Sequence, residues 1–140
     1  MKITSKYTVA LQLLLICNHY SEEKITSGFI SRKIGADPVI IRQVMIDLKR
    51  ENYIESKPGP GGTTLKKELS NISLYEIYNC VTDDDDNILK FYTLPSESTS
   101  FEKHLQSITI TNFSQYIVSF YEELKKHTLQ ELYDQICITL

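Results

Sequence analysis

Apolar positions recur at helical spacing in three separate blocks over the first fifty residues. In residues 4–20, Ala10, Leu13, Leu14 and Cys17 fall at i, i+3, i+4 and i+7, one buried stripe of a helix with Thr4 or Ser5 as N-cap. A polar patch at residues 21–24 interrupts it. A shorter helix follows, starting at Thr26 or Ser27 and turning Phe29, Ile30 and Ile34 inward; it closes at Gly35-Ala36, where glycine accepts the left-handed conformation that ends helices. Asp37 as N-cap and Pro38 at the first helical position restart the chain. The third helix, residues 38–51, puts Ile41, Val44, Met45 and Leu48 on one face. A short helix, a glycine-containing turn and a longer helix make a helix-turn-helix.

The period then changes. Residues 52–56 read as a strand and residues 63–67 as its return. Between them, Lys57-Pro58-Gly59-Pro60-Gly61-Gly62 is too rich in proline and glycine for either regular structure. A hairpin directly after a recognition helix is a wing. Lys57, Lys66 and Lys67 make it positive, and Gly59, Gly61 and Gly62 let its backbone come close to whatever the tip touches. Ser73 with Glu76 forms a capping box that opens a helix running to Val81. Residues 83–86 are four carboxylates that repel one another, a solvated loop, and residues 95–100 form a polar linker.

A long amphipathic helix over residues 101–127 follows, with Ile110, Phe113, Tyr116, Ile117, Phe120 and Leu124 sharing one side and Val118 and Tyr121 off that stripe. Either it lies beneath the winged helix as a core helix, or one face meets a second copy; the second reading is favoured. Thr128 with Glu131 is a second capping box, restarting a last helix with Leu129, Leu132, Tyr133 and Ile136 inward. The fold class expected is mainly α with a small β-hairpin wing: a winged helix-turn-helix plus a long C-terminal dimerisation helix. Residues 1–81 are then the DNA-binding domain, 82–100 an acidic and polar linker, and 101–140 the helical dimerisation region.

Composition qualifies this picture. The 140 residues are 41% hydrophobic and 24% charged, ordinary for one soluble domain with a core. A net charge of −3 argues against nucleic acid until it is divided. Residues 1–69 carry 11 Lys+Arg and 7 Asp+Glu, net +4; residues 70–140 carry 4 and 11, net −7. The segment with the helix-turn-helix and wing is the basic one. The longest N-terminal apolar run, residues 13–17, is too short to cross a membrane, and with no signal pattern a cytoplasmic protein is expected. GxxxxGK[ST], GxGxxG, HExxH and GxSxG do not occur, and no catalytic constellation emerges, so no enzyme is expected.

Three cysteines at wide spacing, without a CxxC pair, exclude a disulfide framework and a zinc ribbon. Cys17 falls on the buried stripe, Cys80 ends the helix after the wing, and Cys137 lies near the C-terminus, where exposure is easier. A redox switch needs an accessible thiol of low pKa and a partner, so the three stand as redox candidates only. His104 and His127, 23 residues apart on one helix, cannot share a metal ion within one chain, and no metal site is expected.

The candidate chemistry is recognition of double-stranded DNA. Val39, Arg42 and Gln43 lie off the apolar stripe near the start of the helix that Pro38 opens. Arginine can bond guanine O6 and N7, glutamine adenine N6 and N7, and valine can meet a thymine methyl. A solvated helix face is the ordinary alternative; the helix-turn-helix context favours bases. Thr26 and Ser27 offer hydroxyls and backbone N–H groups to a phosphate, or simply cap their helix. Lys6 and Tyr7 suit backbone contacts, and Lys57 suits the minor groove, whose negative potential favours a cation.

These strings also resemble a known family. The opening Met1-Lys2-Ile3-Thr4-Ser5-Lys6-Tyr7-Thr8-Val9-Ala10-Leu11, the wing Pro58-Gly59-Pro60-Gly61-Gly62 followed by Leu65, and Ile72-Ser73-Leu74-Tyr75-Glu76-Ile77-Tyr78 resemble the Rrf-type winged helix-turn-helix transcription regulators of bacteria. Pro38-Val39-Ile40-Ile41-Arg42-Gln43-Val44-Met45 resembles the recognition helix of the BadM/YwnA-like branch. The resemblance implies a homodimer bound to a palindromic operator, and the function expected is that of a transcription regulator acting as a repressor. Cluster-binding members carry three closely spaced cysteines before the dimerisation helix; residues 82–104 contain none, so no iron–sulfur cofactor is expected. Two other readings stay open: a winged-helix module that binds protein, and a small-molecule or redox sensor whose ligand sits in the C-terminal half.

Overall fold

The computed structural model describes residues 4–58, 61–83 and 89–140. Helix α1 (Ser5–His19) opens on Thr4, whose hydroxyl accepts from the Tyr7 amide, so the first of the two candidate caps is used. Ala10, Leu13, Leu14 and Cys17 are buried as the spacing predicts, joined by Tyr7 and Val9. Helix α2 (Ser27–Ile34) is capped by Thr26 and closed by Gly35 at φ 73. Only Ile30 of α2 is buried; Phe29 and Ile34, expected inward, sit half-buried at the core's edge. Phe29 instead packs edge-on against Tyr20 at 5.5 Å, and the Lys33 ammonium lies 4.6 Å over the Tyr20 ring. Helix α3 (Pro38–Arg50) is capped by Asp37, whose carboxylate accepts from Val39 N at 2.8 Å, and buries Ile41, Val44, Met45 and Leu48.

Asn52, at φ 62, turns the chain after α3, so the first strand starts two residues later than the sequence pattern suggests. Strand β1 (Ile54–Lys57) pairs antiparallel with β2 (Gly62–Leu65), Ile54 opposite Leu65 and Lys57 opposite Gly62. The tip residues Gly59 and Pro60 lie outside the described residues, as do Asp84, Asp85 and Asp86 of the acidic run. A 3-10 turn (Leu69–Asn71) leads into α4 (Leu74–Val81). Its capping box is complete: Ser73 Oγ accepts from Glu76 N at 3.1 Å, and the Glu76 carboxylate accepts from Ser73 N at 2.8 Å.

Two helices finish the chain, α5 (Ser100–Lys125) and α6 (Leu129–Thr139). The corner between them is stitched to the start of α4: Leu74 N donates to His127 O at 2.9 Å and Leu129 N to Ile72 O at 3.0 Å. Leu129 is thereby fully buried in the core that Leu13, Leu14, Ile41, Leu48 and Ile77 form, and each such side chain contributes about 1.5–3 kcal/mol. The second capping box is only half made. Thr128 Oγ1 accepts from Glu131 N, but the Glu131 carboxylate turns to His127 Nδ1 at 2.7 Å. Leu132 and Tyr133 pack on the core, whereas Ile136, expected inward, is exposed.

Helix α5 corrects the alternative of a core helix: none of its residues is buried. Its expected stripe divides. Leu124, with Tyr121 beside it, packs on this chain's own core, and Ile117 is half-buried, while Ile110, Phe113, Tyr116 and Phe120 face outward. Tyr121 stacks near Tyr75 and Tyr78, each at 5.4 Å, which fixes the C-terminal part of α5 against α4. Among the described residues no helix is long and apolar enough to cross a membrane.

Candidate nucleic-acid interface

Helix α3 has two unlike faces because its apolar stripe is narrow. The inner face engages α1, α2, α4 and β1. The outer face presents Val39, Arg42, Gln43 and Ile46, all exposed. Asp47, the one acidic residue within α3, does not join that face: its carboxylate takes Lys6 Nζ and Arg50 Nη1, each at 3.0 Å. The second Arg50 nitrogen donates to Cys80 O at 3.4 Å, and the Cys80 thiol donates to Asp47 O at 3.4 Å. Asp47 therefore ties α3 to α1 and α4; no residue within α3 turns a carboxylate outward, and the carboxylate of the exposed cap, Asp37, accepts from Val39 N.

The wing is seated on the loop before α2. Thr63 N donates to Ile25 O at 2.8 Å. Gly62, at φ 64, is buried there; a Cβ on it would lie 2.8 Å from Ile25 N. That contact puts the wing's base beside residues 24–27, so Lys57 and the start of α2 fall within one surface. Thr26 is exposed with its hydroxyl accepting from Phe29 N at 3.1 Å, and Ser27 is half-buried. Lys57, Pro38 and Gly61 are exposed, and the Lys57 side chain lies across Gly61. Lys66 Nζ reaches Asn52 Oδ1 at 3.5 Å, and Lys67 sits 4.4 Å over the Tyr53 ring, so both are occupied within the fold.

The two candidate positions at the start of α1 are placed differently from one another. Tyr7 is 5% exposed, its hydroxyl donates to Leu74 O at 2.7 Å, and its ring meets Tyr78 edge-on at 5.3 Å. It is a core residue, its hydroxyl pushed up to about 12 by burial, and its side chain is not presented to a phosphate. Lys6 reaches the surface but is committed to Asp47. Ile46 was not among the sequence candidates, although its spacing from Val39 and Arg42 placed it on the same side.

The cysteines are separated. Burial pushes the Cys17 thiol up to about 12, and burial together with Glu51 and Asp47 pushes Cys80 up to about 11. Cys137 is exposed on α6. The six apolar residues expected at a second copy lie along α5 as described, four of them outward.

Comparison with known proteins agrees with this architecture. The profile of the Rrf2 family, described as "Iron-dependent Transcriptional regulator", matches residues 3–135. The HTH-type transcriptional regulator YwnA of Bacillus subtilis is 25% identical over 134 residues, covering 96% of this chain and 98% of YwnA. Among solved structures, a transcriptional regulator of Lactobacillus plantarum superposes with a TM-score of 0.79 at 16% identity, over 94% of this chain and 89% of that one. T. potens IscR superposes with a TM-score of 0.69 at 18% identity, over 97% and 88% of the two chains. Both share the winged-helix fold.

Iron in the family's description calls for donors. A cluster needs thiolates within reach of one another, whereas Cys17 and Cys80 are built into the core, Cys137 is on α6, and residues 82–104 contain none. Among the described residues no three His, Cys, Asp or Glu side chains converge. The residues of one chain do not fit a thiolate-held cluster. With its profile matched from residue 3 to residue 135 and YwnA aligned along nearly its whole length, the chain belongs to the Rrf2 family of transcriptional regulators.

Proposed function

We propose that this protein is a cluster-free repressor that binds a palindromic operator as a homodimer, in the cytoplasm. The observation that carries the reading is the outer face of α3: an arginine and a glutamine flanked by apolar side chains, with Asp47 turned away from it, beside a wing bearing Lys57. Arg42 and Gln43 meet base edges in the major groove, Thr26 and Ser27 hold a phosphate at the start of α2, and Lys57 borders the minor groove. Residues 1–81 form the reading head, 82–100 connect, and 101–140 dimerise.

Support for the second copy comes from α5. Eight of its large apolar side chains, from Phe101 to Phe120, are exposed, far more than scattered surface apolars explain. Pairing along that helix sets two α3 faces toward successive major grooves, about 34 Å apart. The acidic second half then lies away from the phosphates. Occupancy of a promoter by such a dimer excludes polymerase, the simplest output of a reading head joined to a dimerisation helix.

The test is a gel shift with duplexes enriched from host genomic fragments, read at two salt concentrations. Six phosphate contacts across a dimer predict a loss of about 10³ in affinity between 50 and 200 mM salt. Arg42→Ala should relax base preference, and Lys57→Ala should weaken binding evenly across sequences. A protein that retards no duplex at low salt is the protein-binding module instead. Absorbance and mass spectrometry of the purified protein report any bound ligand or cluster.

A further inference from the structure

The outer face of α3 holds more than a cation and an amide. Val39 and Ile46 are seven residues apart, two helical turns, so they project from the same side as Arg42 and Gln43. Val39 is 52% exposed and Ile46 62%, and neither packs against the core cluster. Both branch at Cβ, which holds them near one rotamer in a helix and presents methyl groups at fixed positions. The inner face of α3 engages its neighbours, and among the described residues these two side chains are not packed on the core. In the major groove, the apolar group offered by a base edge is the 5-methyl of thymine.

The spacing sets a scale. Seven residues advance about 10.5 Å along a helix, and base pairs step about 3.4 Å, so the two side chains span about three base pairs. Arg42 and Gln43 stand between them. We infer that each half-site carries two thymine methyls about three base pairs apart, met by Val39 and Ile46, which bracket the base pairs read by Arg42 and Gln43. Ile46 is then a specificity-determining residue. The inference rests on the DNA-binding reading and names the class of sequence that reading requires. The neighbouring carboxylate does not oppose it, because Asp47 is held by Lys6 and Arg50.

Deoxyuridine supplies the test. It deletes one methyl group and leaves every hydrogen-bonding group of the base unchanged. Duplexes enriched from a random pool by the wild-type protein are substituted one thymine at a time, and affinity is read by fluorescence anisotropy. Two positions per half-site, about three base pairs apart, should each lose about fourfold when the methyl is removed, the equivalent of about 0.8 kcal/mol for one buried methylene-sized group. Ile46→Ala should make one of these positions indifferent to the methyl, and Val39→Ala the other. Melting temperatures of both variants, measured alongside, should match wild type because the side chains are exposed; the wild-type substitutions need no variant at all. Enriched duplexes that tolerate deoxyuridine everywhere, or an Ile46→Ala protein as sensitive at every position as wild type, overturn the inference. A protein that enriches no duplex overturns the DNA-binding reading beneath it.

Discussion

Replacing Gly62 with alanine should unseat the wing, and Gly35→Ala isolates the part of the effect that is only conformational. The two glycines have nearly the same backbone angle, φ 64 and φ 73. Alanine in the left-handed region costs about 1–2 kcal/mol, offset by about 0.4–1 kcal/mol because the unfolded chain loses freedom. At Gly35 the added methyl meets nothing within 4 Å, so the net loss should be about 0.5–1 kcal/mol. At Gly62 it would lie 2.8 Å from Ile25 N and 3.0 Å from Ile25 O, backbone atoms that cannot rotate away. Relief requires β2 to separate from residue 25, breaking the 2.8 Å bond from Thr63 N to Ile25 O, about 0.5–1.5 kcal/mol, and loosening the packing of Ile25. The total should reach about 2–4 kcal/mol. With an unfolding entropy of about 2.1 cal/mol/K per residue, Gly35→Ala should lower Tm by about 2–4 °C and Gly62→Ala by about 7–14 °C. Circular dichroism during heating and urea titration measures both. DNA affinity, read at a temperature where both variants are folded, should fall for Gly62→Ala alone. A Gly62→Ala protein as stable as Gly35→Ala would refute the seating of the wing on residue 25.

The other predictions concern reactivity, pH and assembly. A thiol-specific disulfide reagent at neutral pH should label Cys137 rapidly and Cys17 and Cys80 only on denaturation, because burial pushes the latter two up to about 12 and about 11; three equally reactive thiols would contradict their placement. His127 bonds Glu123 at 3.0 Å and Glu131 at 2.7 Å, and these bonds raise its pKa. Its stabilising effect is therefore full below the ordinary value of about 6.5 and is lost as pH rises through the raised value, while acid that protonates Glu123, whose carboxyl the His127 bond holds below its ordinary 4.5, removes it too. His127→Gln should melt below wild type between those limits and together with it in alkali; a gap that widens in alkali would show the sign to be wrong. Phe113→Glu places a charge on the exposed side of α5 and should convert a dimer to a monomer in sedimentation equilibrium, with the melting of the reading head unchanged at low concentration. Unaltered mass would move the interface elsewhere.

What could be read from sequence was what local chemistry decides. The stripes of α1 and α3 follow from spacing, and the caps Thr4, Thr26, Asp37 and Ser73 follow from side chains that reach their own helix. Contacts between distant segments were not legible. Tyr7 looks like a surface residue at a helix start, yet its hydroxyl donates a hydrogen bond to the carbonyl of Leu74, 67 residues away. The late start of β1 depends on Asn52 taking a positive φ, which no neighbouring residue announces. The apolar character of α5 was plain, but which of its residues serve this chain was not, because the tyrosines of α4 make that choice through Tyr121. The capping box at Thr128 fails for a local reason instead: His127, four residues before Glu131, outcompetes the Thr128 amide for its carboxylate.

The same long-range contacts explain how two oppositely charged halves act as one body. The α5–α6 corner is held to the start of α4 by the backbone bonds at Leu74 and Leu129. Glu76 closes the cap of α4 and also accepts from Tyr53 Oη at 3.0 Å, at the foot of the wing. The other end of α4 meets the recognition helix through Cys80 and Arg50. A short helix of eight residues thus links α5, the foot of the wing and α3. Hydrogen bonds at both ends of α4 connect α5 to α3 within the chain. In a dimer formed along α5, the distance between the two α3 faces is consequently a property of how α4 is seated, and substitutions at its ends should alter the preferred spacing of half-sites before they alter which bases are read.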